Sequence, residues 1–213
     1  FSQPTEIVGH VLPATDWAYF VGADIARFGA MVIGPGLGRG DDVGAEIRSV
    51  LARCDVAVVV DGDGISAAID PHGDYSTLRS RTAATILTPH DGEFASLGGD
   101  AMSADRIGAT RDLAARIGCT VVRKGATTII SDAEGAVYLV ASGDQRLATA
   151  GTGDVLAGII GANMATAKEG STNMDALLAY TEGYKQLGIY AVIAGLVLIL
   201  ISPFVKKLMQ EVR

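Results

Sequence analysis

Residues Ala148-Thr149-Ala150-Gly151-Thr152-Gly153-Asp154-Val155-Leu156-Ala157-Gly158 join a glycine-rich turn directly to an apolar run that predicts a helix. Gly151 and Gly153 lack the Cβ that forbids positive φ, so the backbone can turn tightly and approach a ligand. The first amide N–H groups of the helix have no partner within it, and the positive end of the macrodipole adds to them. Such a place suits a phosphate or another developing anion. Asp154 sets a carboxylate beside it, where a base taking a proton from a substrate hydroxyl has to stand. Taken alone, Gly-Thr-Gly-Asp also reads as a helix start with an aspartate cap.

Four further stretches have one form, an apolar strand that delivers a polar loop. Ala30–Ile33 runs into Gly34-Pro35-Gly36-Leu37-Gly38, and Val56–Val60 into Asp61-Gly62-Asp63-Gly64. Ala84–Leu87 runs into Thr88-Pro89-His90-Asp91-Gly92-Glu93, and Thr120–Arg123 into Lys124-Gly125-Ala126-Thr127-Thr128. In open α/β sheets ligands bind at the carboxyl ends of strands. Asp61 and Asp63, two residues apart, suit Mg²⁺ held through water or a ribose, and equally ordinary turn chemistry. Pro89 fixes the backbone ahead of His90. Glu93 reads as a metal-water ligand or as an acid matched to the dipole of a first helical turn.

Together, Gly34–Gly38, Asp61–Gly64, Thr88–Glu93, Lys124–Thr128 and Ala150–Gly158 resemble, in order and spacing, the ADP- or ATP-dependent NAD(P)H-hydrate dehydratases of the ribokinase-like fold. The likeness spans roughly residues 30 to 165. It implies an α/β fold, a mostly parallel sheet flanked by helices, and a lyase that dehydrates hydrated NADH or NADPH with ADP or ATP and Mg²⁺. It also implies roles for residues. Gly36, Gly38 and His90 would meet the hydrated substrate together with Asp154, the catalytic base. Lys124, Gly125, Ala126, Thr127, Thr128, Gly151, Thr152 and Gly153 would hold the nucleotide, with Asp61 and Glu93 near the metal. Two positions depart from the family pattern: Ala150 stands where glycine is usual, and Gly62-Asp63-Gly64-Ile65 where a small residue and Asp-Ala-Leu are usual.

The bulk properties fit an acidic nucleotide enzyme. With 213 residues, the chain can hold one ample core or one domain and an appendage. A net charge of −7 leaves no basic face for a nucleic acid. Cys54 and Cys119 lie far apart and form no Cys-x-x-Cys pair, which predicts two buried thiols and neither a disulfide framework nor a zinc site. Phe1–Asp16 lacks a basic start and a continuous apolar core, so it does not read as a signal peptide. By comparison with the family, an amino-terminal strand and helix are expected to be missing.

The elements that must position the loops follow from periodicity. A strand over Ile7–Leu12 and a helix over Trp17–Phe28, with Trp17, Phe20 and Ile25 inward, precede the first glycine loop. A helix over Val43–Ala52 has Asp41 and Asp42 as caps. A helix over Glu93–Leu97 is followed by one capped by Ser103, burying Ile107, Leu113, Ala114 and Ile117 and turning Arg106, Arg111, Asp112 and Arg116 to water. Thr127–Ser131 and Ala136–Val140 form an antiparallel hairpin across Asp132–Gly135, and Gln145–Thr149 is a last strand.

The resemblance ends near Lys168, giving residues 1–168 as the catalytic domain, 169–185 as a linker and 186–213 as a hydrophobic helix with a basic tail. Leu187–Val205 carries no charge and is flanked by Lys185 and Lys206-Lys207. At about 1.5 Å per residue such a run spans about 30 Å, which predicts a membrane-crossing helix behind a cytoplasmic catalytic domain. Lys206, Lys207 and Arg213 would mark the cytoplasmic side and so place the domain outside, but Lys168 and Lys185 on the other flank weaken the rule and leave the orientation open. A buried core helix is the competing reading of this run, disfavoured because only Ser202 in it is polar. A homo-oligomer is expected. Two other readings stay open at this stage: a small-molecule alcohol kinase of the same fold, and an inactive or chimeric fragment with a membrane-protein tail.

Overall fold

A computed structural model of the chain describes residues 9–141 and 151–166. In chain order the elements are α1 (Trp17–Asp24) with a 3₁₀ turn (Ile25–Arg27), β1 (Ala30–Ile33), α2 (Asp41–Arg53), β2 (Ala57–Val60), α3 (Asp63–Ala67), α4 (Ser76–Arg79), β3 (Thr85–Leu87), α5 (Asp91–Ser96), α6 (Arg106–Ile117), β4 (Thr120–Arg123), β5 (Thr128–Ser131), β6 (Val137–Val140) and α7 (Thr152–Thr166). The described strands form one sheet in the order β1-β2-β3-β4-β5-β6. β1 to β4 pair parallel, and β5 and β6 add an antiparallel edge. This is the mixed α/β sheet that the strand-and-loop pattern predicts.

Strand side chains alternate between two cores. Val58, Val60, Leu87 and Val121 point to one side, against Ile47, Val50 and Leu51 of α2 and Leu113, Ala114 and Ile117 of α6. Val59, Ile86, Val122 and Ile130 point to the other, against Leu156, Ala157, Ile160 and Met164 of α7. Both faces are covered, which is why β1 and β2 are apolar throughout. Full burial of one such side chain stabilises by about 1.5–3 kcal/mol. Cys54 and Cys119 are free and buried; burial pushes the Cys54 thiol up and takes Cys119 to about 12. The half-buried guanidinium of Arg81 donates to the carbonyls of Leu51, Cys54 and Val56 and to Thr85 Oγ1. It thereby satisfies carbonyls that the end of α2 leaves without helical partners.

Several expectations need correction. Residues 9–12 form no strand. α1 stops at Asp24, and Phe20 is exposed while Trp17 is buried. Gly40 stands at the N-cap of α2, with Asp41 and Asp42 inside the first turn. The N-cap of α6 is Asp105, whose carboxylate accepts from Gly108 N–H at 2.8 Å, and Ser103 lies outside it. Ile107 is exposed, its place toward the sheet taken by Thr110 one turn on. Arg106 and Arg116 do more than meet water: Arg106 pairs with Asp91, and Arg116 donates to Gly98 O at 2.8 Å. No helix among the described residues is long and apolar enough to cross a membrane. The predicted strand Gln145–Thr149 and the run Leu187–Val205 lie outside the described residues, as do the segments 169–185 and 186–213.

The loops after β1 and β2 meet with no space between them. Gly34 has φ +121°, and a Cβ there would lie 2.6 Å from Gly64 N and closer still to Asp61 O. Gly38 has φ +85° with nothing within 4 Å of its Cβ position. Gly34→Ala is therefore expected to cost on the order of 3 kcal/mol, from backbone strain plus overlap. Gly38→Ala, with strain alone, should cost about 1 kcal/mol. Denaturant melts of the two variants check this; equal losses would mean that the loops do not pack as described.

Candidate functional site

Parallel neighbours in register bring the residues that follow them together. Val60 of β2 stands beside Leu87 of β3, and Leu87 beside Val121 of β4. Asp61 and Thr88 follow at one level, and Lys124, two residues further along its own strand, meets them at the carboxyl edge through its long side chain. Asp61 is 2% exposed, and its Oδ1 accepts from Lys124 Nζ at 2.8 Å and from Thr88 Oγ1 at 2.7 Å. Backbone bonds fix each loop root: Asp61 N–H donates to Ile33 O, Thr88 N–H to Val60 O and Lys124 N–H to Pro89 O. Lys124 Nζ also lies 3.8 Å from Glu93 Oε2. Asp61 and Glu93, expected near a metal, thus flank a lysine ammonium.

His90 and Glu93 close a capping box at the start of α5. His90 Nδ1 accepts from Gly92 N–H at 3.0 Å and Glu93 N–H at 3.2 Å, while Glu93 Oε2 accepts from His90 N–H at 2.8 Å. Both partners are thereby fixed. The ring keeps Nε2, 3.4 Å from Glu93 Oε1, on its solvent side. The glycine loop after β1 is pinned from the next loop: Asp63 accepts from Gly38 N–H at 3.0 Å and Arg39 Nε at 2.9 Å. The hydrogen bond from Arg39, then that from Gly38, holds the Asp63 carboxyl below the usual carboxylate range. Asp63 is thus a clamp on the loop that contains Gly36.

Gly125, Ala126 and Thr127 form an exposed bend between β4 and β5, while Thr128 is buried as the first residue of β5. Behind the bend lies a cluster that sequence reasoning missed. Asp91 accepts from both terminal nitrogens of Arg106 at 3.0 Å and from Arg123 Nε at 2.8 Å. Arg123 is fully buried, stacks over Phe94 at 4.1 Å and donates to Ala101 O at 2.9 Å. A Cβ on Gly125 would lie 3.2 Å from Arg106 NH2, so the bend rests against this guanidinium.

The turn of Gly151, with φ +85°, and α7 complete the edge. A Cβ at Gly153 would sit 3.6 Å from Asp61 Oδ2 and 3.7 Å from Lys124 Nζ, so the start of α7 lies directly over the Asp61–Lys124 pair. Asp154 is exposed in the first turn of α7. A helix amino terminus and an ammonium converge on one point, which favours an anion there. Ala150 lies outside the described residues. No group of three or more His, Cys, Asp or Glu among the described residues could hold a metal ion.

A sequence model of a family described as NAD(P)H-hydrate dehydratase matches residues 3–188. The match continues past Lys168, where the motif resemblance ends. The chain is 46% identical over 144 residues, 68% of its length, to the bifunctional NAD(P)H-hydrate repair enzyme Nnr of Mycobacterium tuberculosis, and spans 30% of that relative. It superposes with TM-score 0.60 and 29% identity on the ADP/ATP-dependent NAD(P)H-hydrate dehydratase of Bacillus subtilis co-crystallised with ATP and Mg²⁺, covering 72% of this chain and 52% of that one. A ribokinase-like superfamily protein of Enterococcus faecalis, 24% identical with TM-score 0.63, covers 78% of this chain and 56% of its own. That last likeness shows the fold.

The Asp91 cluster generates a pH prediction. The hydrogen bonds from Arg106, aided by the hydrogen bond and charge of Arg123, hold the Asp91 carboxyl below its ordinary range although burial opposes them. A depressed folded pKa means stability present above the unfolded value of about 3.9 and lost as pH falls through the folded pKa. Asp91→Asn should therefore cost about 1–2 kcal/mol at pH 7, at the low end for charged hydrogen bonds because Asp91 is half exposed. Melts across pH should show the two proteins converging as pH falls through the folded pKa of Asp91. A gap that does not narrow in acid would show that Asp91 acts through shape and not charge.

Proposed function

The chain belongs to the NAD(P)H-hydrate dehydratase family, matched over residues 3–188, and on that premise we propose that this carboxyl-edge site carries out nucleotide-dependent dehydration of hydrated NADH or NADPH. The observation that carries the reading is the start of α7 lying over the Lys124 ammonium with the exposed Asp154 carboxylate in its first turn. One anion hole and one free base at the same edge are what phosphoryl transfer to a hydroxyl requires.

In this reading the terminal phosphate of ADP or ATP rests on the Gly151-Thr152-Gly153 turn, above Lys124. The bend of Gly125, Ala126 and Thr127 follows the rest of the nucleotide, and Thr128 anchors that bend from inside β5. The hydrate lies on the side of Gly36, Gly38 and His90, whose ring is more than half exposed and whose Nε2 lies 3.4 Å from Glu93 Oε1. Asp154 takes the proton from the substrate hydroxyl, and that oxygen attacks the terminal phosphorus as the bond to the nucleotide breaks. The phosphorylated carbon–oxygen bond then breaks, inorganic phosphate departs, and loss of the neighbouring proton restores the double bond of the ring. Asp61 Oδ1 is already committed to Lys124 and Thr88. Mg²⁺ bound with the nucleotide would neutralise charge on its phosphates, with Asp61 and Glu93 the carboxylates nearest to it.

Asp154→Asn keeps the side-chain shape but cannot accept the proton. Loss of a positioned general base should lower turnover about 10²- to 10⁴-fold. Nucleotide affinity by calorimetry should be nearly unchanged. A variant that keeps more than half of the wild-type rate would remove Asp154 from the mechanism.

A further inference from the structure

We propose that Asp61, supported by Thr88, is a positioning residue that holds the Lys124 ammonium under the Gly151–Gly153 turn for the terminal phosphate of a nucleotide; this rests on the reading above. The carboxylate is almost wholly buried, and one of its oxygens takes both hydrogen bonds, from Lys124 at 2.8 Å and Thr88 at 2.7 Å. A buried carboxylate persists in charged form only when paired and hydrogen-bonded, so the pair is obligatory for both members.

Lysine has three N–H donors. One goes to Asp61, and Glu93 Oε2 at 3.8 Å lies beyond hydrogen-bond distance, which leaves two donors for a ligand. Glu93 is held independently by His90 N–H and does not depend on the lysine. Above the ammonium, the Cβ position of Gly153 is 3.7 Å away and carries no atom, so the turn and Lys124 face the same small space. The lysine stem is long and flexible, and a point charge serves one phosphate oxygen only if something fixes it. Asp61 and Thr88 do so from two different strand ends.

The test is a double-mutant cycle on the full chain, read as ADP and ATP dissociation constants by calorimetry with Mg²⁺ present. Asp61→Asn and Lys124→Met should each weaken nucleotide binding, and the double variant should be no weaker than Lys124→Met alone. Coupled neighbours differ from additivity by about 3- to 100-fold. Additive losses would overturn the proposal, since they would mean that Asp61 meets the nucleotide or its metal directly. Lys124→Met leaves a buried carboxylate without its cation and could unfold the chain. Thr88→Val with Thr88→Ser gives a second reading: Val should weaken nucleotide binding several-fold in a chain that still melts cooperatively, and Ser should restore it. Unchanged affinity in Thr88→Val overturns the proposal as well. Absence of nucleotide binding by the wild-type chain sinks the functional reading and this inference with it, whereas wild-type binding with additive variants sinks the inference alone.

Discussion

The buried pair of Asp61 and Lys124 is the constraint on which the arrangement depends. A carboxylate at 2% exposure is costly unless its charge is met in place, and the cation that meets it arrives from 63 residues away. That closure requires β2, β3 and β4 to be consecutive parallel neighbours in one register. It also requires the residue above the pair to have no side chain, which Gly153 satisfies. Sheet order, loop roots and the placement of α7 are thus tied to one ion pair. Breaking it by removing one partner would leave an uncompensated charge inside the molecule.

Around this pair the loops divide their work. Asp63 clamps the glycine loop of β1 through Gly38 N–H and Arg39, while the capping box of His90 and Glu93 fixes the loop of β3. Arg123 and Arg106, joined through Asp91, brace the bend after β4. Each loop is held by a charged or capped side chain from its own or a neighbouring segment, so the edge is organised before any ligand arrives. Preorganised donors and charges are worth more in such a site than groups that must reorient during reaction.

Much of this was legible in the sequence for identifiable reasons. Parallel strands covered on both faces are apolar throughout, so Val56–Val60 and Ala30–Ile33 announce themselves, and the glycine loops mark strand ends. Helix starts were harder. Ser103 and Asp105 are both good caps two residues apart, and only packing of α6 on the sheet selects Asp105. Long-range pairings left no local trace: Asp91 with Arg123 is 32 residues apart, and Arg106 read as a solvated charge. A signal for the central pair was nevertheless present. If the strands are consecutive neighbours, the first residue after each of β2, β3 and β4 is Asp61, Thr88 and Lys124, and an acid, a hydroxyl and a long basic side chain leaving neighbouring strand ends predict contact.

If the proposed function holds, this edge couples a nucleotide's terminal phosphate to loss of water from a reduced nicotinamide hydrate. The most direct measurement follows the absorbance of NADH regained from hydrated NADH by the purified chain, alongside inorganic phosphate, with and without ADP or ATP. Recovery is expected only with nucleotide, at one phosphate released per NADH restored. Phosphorylated hydrate that accumulates without restored NADH, or recovery indifferent to nucleotide, would contradict it.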